Sequence, residues 1–306
     1  MKKLLLCVAA VALAFGASAA SKRLASVTNV YGTESEKALY KYDAQGRLVS
    51  VESPGETYTF DYSKLAEKQL TITCKDKDYP EVYTYVMTLN DEGLVVKGVE
   101  YEDGTPDDGT YNFEYTDGRL TNFKYIQPDE TEETRITYDA AGSIVKIEEI
   151  DGESASESRV ITFEYDGTKN VGGLALYDDL YSVDIDDLQL AAFAGFMGKA
   201  PAELPVKSVS VSATDNYTET ETYGWTLDAE GYPTRITIKE ISEWNTSEYS
   251  YEFGWEADLS GVAGVEADVT GVSKFYNVHG LEVGADAKGL VIERRADGSV
   301  VKSIRR

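Results

Sequence analysis

The run Tyr138-Asp139-Ala140-Ala141-Gly142-Ser143-Ile144-Val145-Lys146-Ile147 spells a strand end, a tight turn and a strand start. Asp139 opens a four-residue turn, where its carboxylate can accept hydrogen bonds from the backbone N–H groups just ahead. Gly142 stands at the fourth position, which calls for a left-handed backbone that a residue with a Cβ resists. A type I turn followed by a left-handed glycine closes a hairpin with a bulge. Ile136 and Tyr138 alternate with Thr137 before the turn, and Val145 and Ile147 with Lys146 after it. Period-two alternation marks a strand with one buried face.

The same grammar recurs at Tyr42-Asp43-Ala44-Gln45-Gly46-Arg47-Leu48, at Asn90-Asp91-Glu92-Gly93-Leu94 and at Leu227-Asp228-Ala229-Glu230-Gly231-Tyr232. Asp117-Gly118 and Asp166-Gly167 read as two-residue turns. Gly93, Gly118, Gly142 and Gly167 follow one another at intervals of 25, 24 and 25 residues. Gly46 precedes Gly93 by about two such intervals, with Tyr62-Ser63-Lys64-Leu65 as a degenerate middle copy. Two strands and two turns per interval mean tandem hairpins. Hairpins in series pair with their neighbours, and a long meander must curl, split or close to bury its apolar face.

The span 181–203 breaks the pattern. Ile185, Leu188, Ala192, Phe193 and Phe196 fall at helical spacing. Ser182 or Asp184 can cap the start, Asp186 and Asp187 suit the positive end of the dipole, and Gly198 and Pro201 end the run. The spacing predicts one amphipathic helix near 184–198 that covers the open face or end of the sheet.

Residues 1–20 read as a secretory signal peptide. Lys2 and Lys3 supply the positive end, an apolar core too short to span a bilayer follows, and Ala17-Ser18-Ala19 offers a cleavage site. The tandem-hairpin domain is expected over 21–258, a flexible linker over 259–271, and a small β module over 272–306. Within that module Phe275 to Val283 reads as strand, turn and strand, Lys288-Gly289-Leu290 opens another strand, and Asp297-Gly298 closes a final hairpin.

Composition narrows the chemistry. Hydrophobic residues at 42% suffice for a folded chain, and 22 Tyr against 9 Phe suit strands with one dry and one wet side. The formal charge of −25 becomes more negative once Lys2 and Lys3 leave, which repels phosphate backbones and anionic membranes. Nucleic acid is therefore no partner. Cleavage also leaves Cys74 as the lone cysteine, so no internal disulfide is expected; its alternation with Leu70 and Ile72 makes it a buried hydrophobe. His279 is the only histidine, which excludes His-based triads and multi-His zinc sites within one chain. No phosphate loop, dinucleotide fingerprint or zinc-protease helix is present. Asp103-Gly104-Thr105-Pro106-Asp107-Asp108-Gly109 is rich in oxygens but lacks calcium-loop spacing. No catalytic, cofactor or metal residue is assigned. A glycosidase needs only a pair of carboxylates, and among 54 acids no pair is marked. Trp225, Trp244 and Trp255 are the ligand-binding candidates, as platforms for sugar rings where they reach the surface.

The Tyr-Asp-x-x-Gly-Arg-Leu form of 42–48 resembles the tyrosine–aspartate repeats of large secreted bacterial shell and toxin proteins. The signal peptide, the Tyr-rich tandem hairpins and the interrupting helix together resemble a secreted Bacteroidetes family of unknown function with a porin-like β fold. Tyr276-Asn277 with Gly280, Lys288-Gly289-Leu290 and Asp297-Gly298 resemble C-terminal modules of secreted Bacteroidetes proteins, some of which direct secretion and surface attachment; Val291 stands where those modules carry Tyr.

The expected fold is all-β: an antiparallel meander of tandem hairpins, curled or barrel-like, with one covering helix and a small C-terminal β module. The expected role is a non-enzymatic binding or structural protein, exported across the inner membrane to the periplasm, cell surface or medium. The sequence does not fix its partner, for which a glycan and an envelope protein are the two candidates, and integral membrane insertion is disfavoured by strands charged on both faces. Two rival roles are an outer-membrane porin-like barrel and a carbohydrate-active enzyme using paired carboxylates.

Overall fold

The computed structural model describes residues 22–151, 159–183, 185–212 and 217–257, and the strand residues 274–276, 282–283, 289–294 and 300–305. The expected signal peptide and linker, Asp184 and His279 lie outside the described residues.

Lys22–Tyr31 (β1), Glu34–Tyr42 (β2), Leu48–Glu52 (β3), Glu56–Asp61 (β4), Gln69–Asp76 (β5), Val82–Leu89 (β6) and Val95–Glu102 (β7) follow one another as antiparallel neighbours. The two-residue Thr105–Pro106 (β8) folds back on the end of β7. Thr110–Thr116 (β9), Arg119–Ile126 (β10), Thr131–Tyr138 (β11), Ile144–Asp151 (β12) and Arg159–Lys169 (β13) continue the series. After a long crossing segment come Glu203–Ser212 (β14), Tyr217–Leu227 (β15), Pro233–Ile241 (β16) and Thr246–Ala257 (β17). β1 pairs with β2 on one side and β17 on the other, so sixteen strands close a barrel and β8 stands outside the ring. The expected meander is thus a closed antiparallel barrel.

The turns follow from local chemistry. Asp139 Oδ1 accepts hydrogen bonds from the N–H groups of Ala141, Gly142 and Ser143 at 2.8–2.9 Å. Asn90 and Asp228 hold their turns in the same way. Gly142 has φ +92°, and the ladder shifts register between Thr137 and Tyr138, as the bulge requires. Asp117 and Gly118 both adopt positive φ and form the expected two-residue turn. Asp166-Gly167 does not. It lies inside β13, because the next strand arrives only after the crossing segment, and the irregularity becomes a register shift between Tyr165 and Lys169.

These tight turns gather at one end of the barrel, the turn end, where β1 begins and β17 finishes. The connections 53–55, 77–81, 103–109, 127–130 and 242–245 form the opposite loop end.

The wall is apolar inside and polar outside. Inward rows include Tyr58–Cys74–Tyr83, Phe60–Ile72–Tyr85 and Ile136–Ile147–Ile161, each aligned across neighbouring strands. Outward rows include the threonine ladder Thr59–Thr73–Thr84. Outward ion pairs join Lys41 to Glu52 at 2.5 Å, Lys207 to Glu164 at 2.8 Å and Arg235 to Glu252 at 3.4 Å, while Glu133 serves both Lys124 and Arg135.

Sixteen strands enclose a lumen too wide for wall side chains alone to fill. The crossing segment between β13 and β14 fills it. Tyr177–Tyr181 (α1), a 3₁₀ turn at Asp186–Leu188 and Gln189–Phe193 (α2) lie within this plug. Tyr177, Tyr181, Val183, Ile185, Leu188 and Ala191 are fully buried. Their neighbours come from all round the wall. Phe193 meets Tyr40 of β2 at 5.5 Å between ring centres, and Tyr181 meets Phe163 of β13 at 5.2 Å. Tyr251 of β17 donates to Asp179 at 3.1 Å. Backbone bonds from Val95 N to Phe196 O, Lys199 N to Gly118 O and Ala202 N to Gly142 O tie the plug to the turn end.

The helical content of 184–198 is therefore shorter than its spacing predicts and sits inside the barrel. Ser182 closes α1 in the left-handed conformation at φ +52° and caps no later helix; Gly195, at φ +86°, follows the end of α2. Much of the segment is buried against the wall, so its apolar spacing does not mark one face of a surface helix.

The tail forms its own unit. Lys274–Tyr276 (β18), Glu282–Val283 (β19), Gly289–Arg294 (β20) and Val300–Arg305 (β21) make a four-stranded antiparallel sheet in the order β19-β18-β20-β21.

Candidate site at the loop end of the barrel

Strand alternation sends one row of side chains from each strand towards the lumen, and near the loop end that row turns acidic. Glu56 and Asp76 face each other across β4 and β5, and Glu100 and Glu102 lie opposite Tyr85 and Tyr83. Glu149 sits on β12 opposite Arg159, which binds it through Nε and Nη2. On the other side Glu219 and Glu221 of β15 face Ser210 and Ser208 of β14, and Glu221 also faces Glu240 of β16. The plug adds Asp179 and Asp187. On β14 Ser208 and Ser210 are buried inward, while Val209 points outward and Val211 is exposed.

Two walls stand out. On the first, Glu100, Glu102, Asp103, Thr105, Pro106 and Asp107 line a cavity of about 630 Å³. This absorbs the oxygen-rich turn noted in the sequence. Among the described residues no group of three His, Cys, Asp or Glu side chains is placed to hold a metal.

The second wall is β14–β17. Tyr223 Oη donates to Glu221 at 2.5 Å and lies 2.9 Å from Ser208 Oγ, which itself lies 3.2 Å from Glu221. Ser247 donates to Glu240 at 2.9 Å, and Tyr217 donates to Glu219. Burial raises the Glu221 carboxyl above its ordinary range; the hydrogen bonds from Tyr223 and Ser208 oppose this, and Glu219 and Glu240 add to it. Glu219, Glu221 and Glu240 form no ion pair among the described residues. Arg159 acts on Glu219 and Glu221 through its charge, and its guanidinium is bound to Glu149. Ser210 Oγ has no hydrogen-bond partner although Ser210 is only 6% exposed.

Basic residues collect at the other end. Arg23, Arg47 and Arg119 lie over the rings of Tyr42, Tyr62 and Tyr138 at 4.3, 4.7 and 5.6 Å. Arg119 also donates to Ala200 O.

The three tryptophans are not brought together. Trp225 lies half-buried, donating to Pro205 O and stacking on Phe253; Trp255 donates to Pro233 O and packs on Tyr232. Trp244, in the 242–245 connection, is 72% exposed and stacks on Tyr217 at 5.0 Å with rings 3° from parallel. Residues at this end that sequence reasoning missed are Ser210, Glu219, Glu221 and Glu240. Their only sequence signal is the alternation of Glu with Thr along β15.

Residues 40–235 match the model of a domain of unknown function with a porin-like fold, DUF4595. The chain belongs to this family. Two solved structures share the fold. A porin-like protein from Bacteroides uniformis ATCC 8492 superposes with a TM-score of 0.58 at 19% identity, over 76% of this chain and 96% of that one. A porin-like protein from Bacteroides vulgatus ATCC 8482 gives 0.58 at 14% identity, over 77% and 99%. No protein of curated function matches the chain. Among the described residues no helix is long and apolar enough to cross a membrane. The DUF4595 barrel has a filled lumen and a carboxylate-rich loop end.

Proposed function

We propose that this barrel is a non-enzymatic binding protein of the cell envelope, which faces water on its outside and takes its ligand at the loop end. The distribution of polarity carries the reading. A membrane barrel turns an apolar band outward and keeps a polar interior. Here threonine ladders and ion pairs such as Lys207–Glu164 occupy the outside, and Leu70, Ile72, Met87, Ile147 and Leu188 the inside. The plug occupies the lumen and contacts strands β2, β13 and β17, which supports a filled barrel over an open pore. The family assignment and the Bacteroides relatives support an envelope setting.

Purified protein added to planar lipid bilayers tests this. The expected result is no conductance step and no association with liposomes on flotation. Stable conductance steps would overturn it.

The carbohydrate-active alternative has one observation in its favour: Glu221, with its raised carboxyl, stands opposite Glu240. Release of reducing ends from a polysaccharide panel, abolished by both Glu221→Gln and Glu240→Gln, would establish it.

A further inference from the structure

We propose that the β14–β17 wall binds a protonated amine or guanidinium group, a reading that rests on the loop end being a ligand-binding surface. The lumen-facing carboxylates Glu219, Glu221 and Glu240 are held by neutral donors, namely Tyr217, Tyr223, Ser208 and Ser247. Hydroxyl donors fix the carboxylates without neutralising them, so the wall keeps its negative charge. Among the described residues no cation pairs with these three carboxylates, and in this reading the ligand supplies the positive charge.

Ser210 supplies an independent observation. A buried hydroxyl without a partner costs free energy, and such groups mark a missing water, ion or ligand. Ser210 is more than nine-tenths buried, its Oγ is unpartnered, and it faces the lumen opposite Glu219. Turning Ser208 and Ser210 inward while Val209 and Val211 point out sacrifices apolar burial, as a polar ligand surface would require.

The chemistry favours an organic cation over a metal. No three acidic side chains among the described residues converge closely enough for inner-sphere coordination. Tyr217, Tyr249 and Tyr251 share the lumen face with the carboxylates, and Tyr249 and Tyr251 meet edge-on at 6.0 Å. Aromatic rings beside carboxylates suit ammonium and guanidinium groups, through the ring face and through charge-assisted hydrogen bonds.

Isothermal titration of the full chain with spermidine, with Gly-Lys-Gly and with Gly-Arg-Gly, using calcium as the inorganic control, tests the proposal. At least one organic cation is expected to bind at physiological ionic strength and calcium is not. The Glu219→Gln/Glu221→Gln/Glu240→Gln variant should weaken binding roughly tenfold or more. Ser210→Ala, which changes no charge, should weaken it by roughly three- to tenfold. Glu100→Gln/Glu102→Gln, on the opposite wall, should leave it unchanged. Tighter spermidine binding identifies a free polyamine as the source, and tighter tripeptide binding a peptide side chain. Near-ultraviolet circular dichroism confirms that each variant is folded. Absence of binding by every organic cation up to about 10 mM overturns the proposal. Calcium binding as tight as that of the organic cations, or indifference to the triple variant, does the same. Loss of binding in Glu100→Gln/Glu102→Gln alone would overturn this wall but keep the loop end as the binding surface, whereas conductance in bilayers would overturn the reading beneath both.

Discussion

The Asp187 carboxylate accepts a hydrogen bond from Tyr58 Oη at 2.6 Å, joining the plug to a wall strand 129 residues away in sequence. Its second oxygen accepts from Tyr85 Oη at 2.9 Å. Burial, reinforced by Asp187, raises both phenols well above their usual range, so they remain donors. Asp187→Ala leaves the Tyr85 phenol without its acceptor and the Tyr58 phenol with Glu56 alone, and is expected to lower unfolding free energy by about 1–3 kcal/mol. Asp187→Asn, which keeps one carbonyl oxygen, should cost less. Urea unfolding of both variants checks the order.

Asp139 should make part of the stability acid-sensitive. The backbone N–H of Ser143, with those of Gly142 and Ala141, holds its carboxyl below the usual range despite an opposing contribution from burial. A group depressed in the folded state stabilises above its unfolded pKa of about 3.9, and the contribution disappears as pH falls through the lower folded value. Asp139→Ala is expected to cost about 1 kcal/mol at neutral pH, a figure reduced for solvent screening at this exposed turn, and nothing once the pH lies below the folded value. Thermal unfolding from neutral pH to pH 2 measures both limits.

Glu221 works with the opposite sign. Burial raises its carboxyl, so folding favours the protonated form more than the unfolded chain does. Stability associated with it is full below the unfolded value of about 4.3 and declines as pH rises through the raised folded value. Glu221→Gln should therefore stabilise the barrel at neutral pH, by an amount that shrinks on acidification. A destabilised variant at neutral pH would mean that the hydrogen bonds from Tyr223 and Ser208 to the carboxylate outweigh its burial penalty.

Cys74 is expected to be inert. Burial pushes its thiol up to about 11, and its side chain faces the filled lumen. The folded protein should react with an aromatic disulfide reagent at a rate limited by unfolding, and at once in denaturant.

The turns were legible because Asp139 and Gly142 act within five residues, and their chemistry needs no distant partner. Strand alternation around Ile136, Ile147 and Tyr85 was legible for the same reason. Barrel closure was not, because the β1–β17 pairing joins the two ends of the domain and depends on strand number and stagger. The plug misled in an instructive way. Ile185, Leu188 and Phe196 sit at helical spacing, yet much of the segment is buried against the wall, so their spacing reports burial and not a helix face. The acidic wall needed the register that places Glu221 beside Glu240, which depends on strand pairing and not on local pattern.

The most direct test of a water-facing, plugged barrel is fractionation of native cells followed by carbonate and detergent extraction of the envelope. The protein is expected in the soluble periplasmic or secreted fraction, or released by carbonate. Release by detergent alone would contradict this and make the outward threonine and lysine rows lipid-facing.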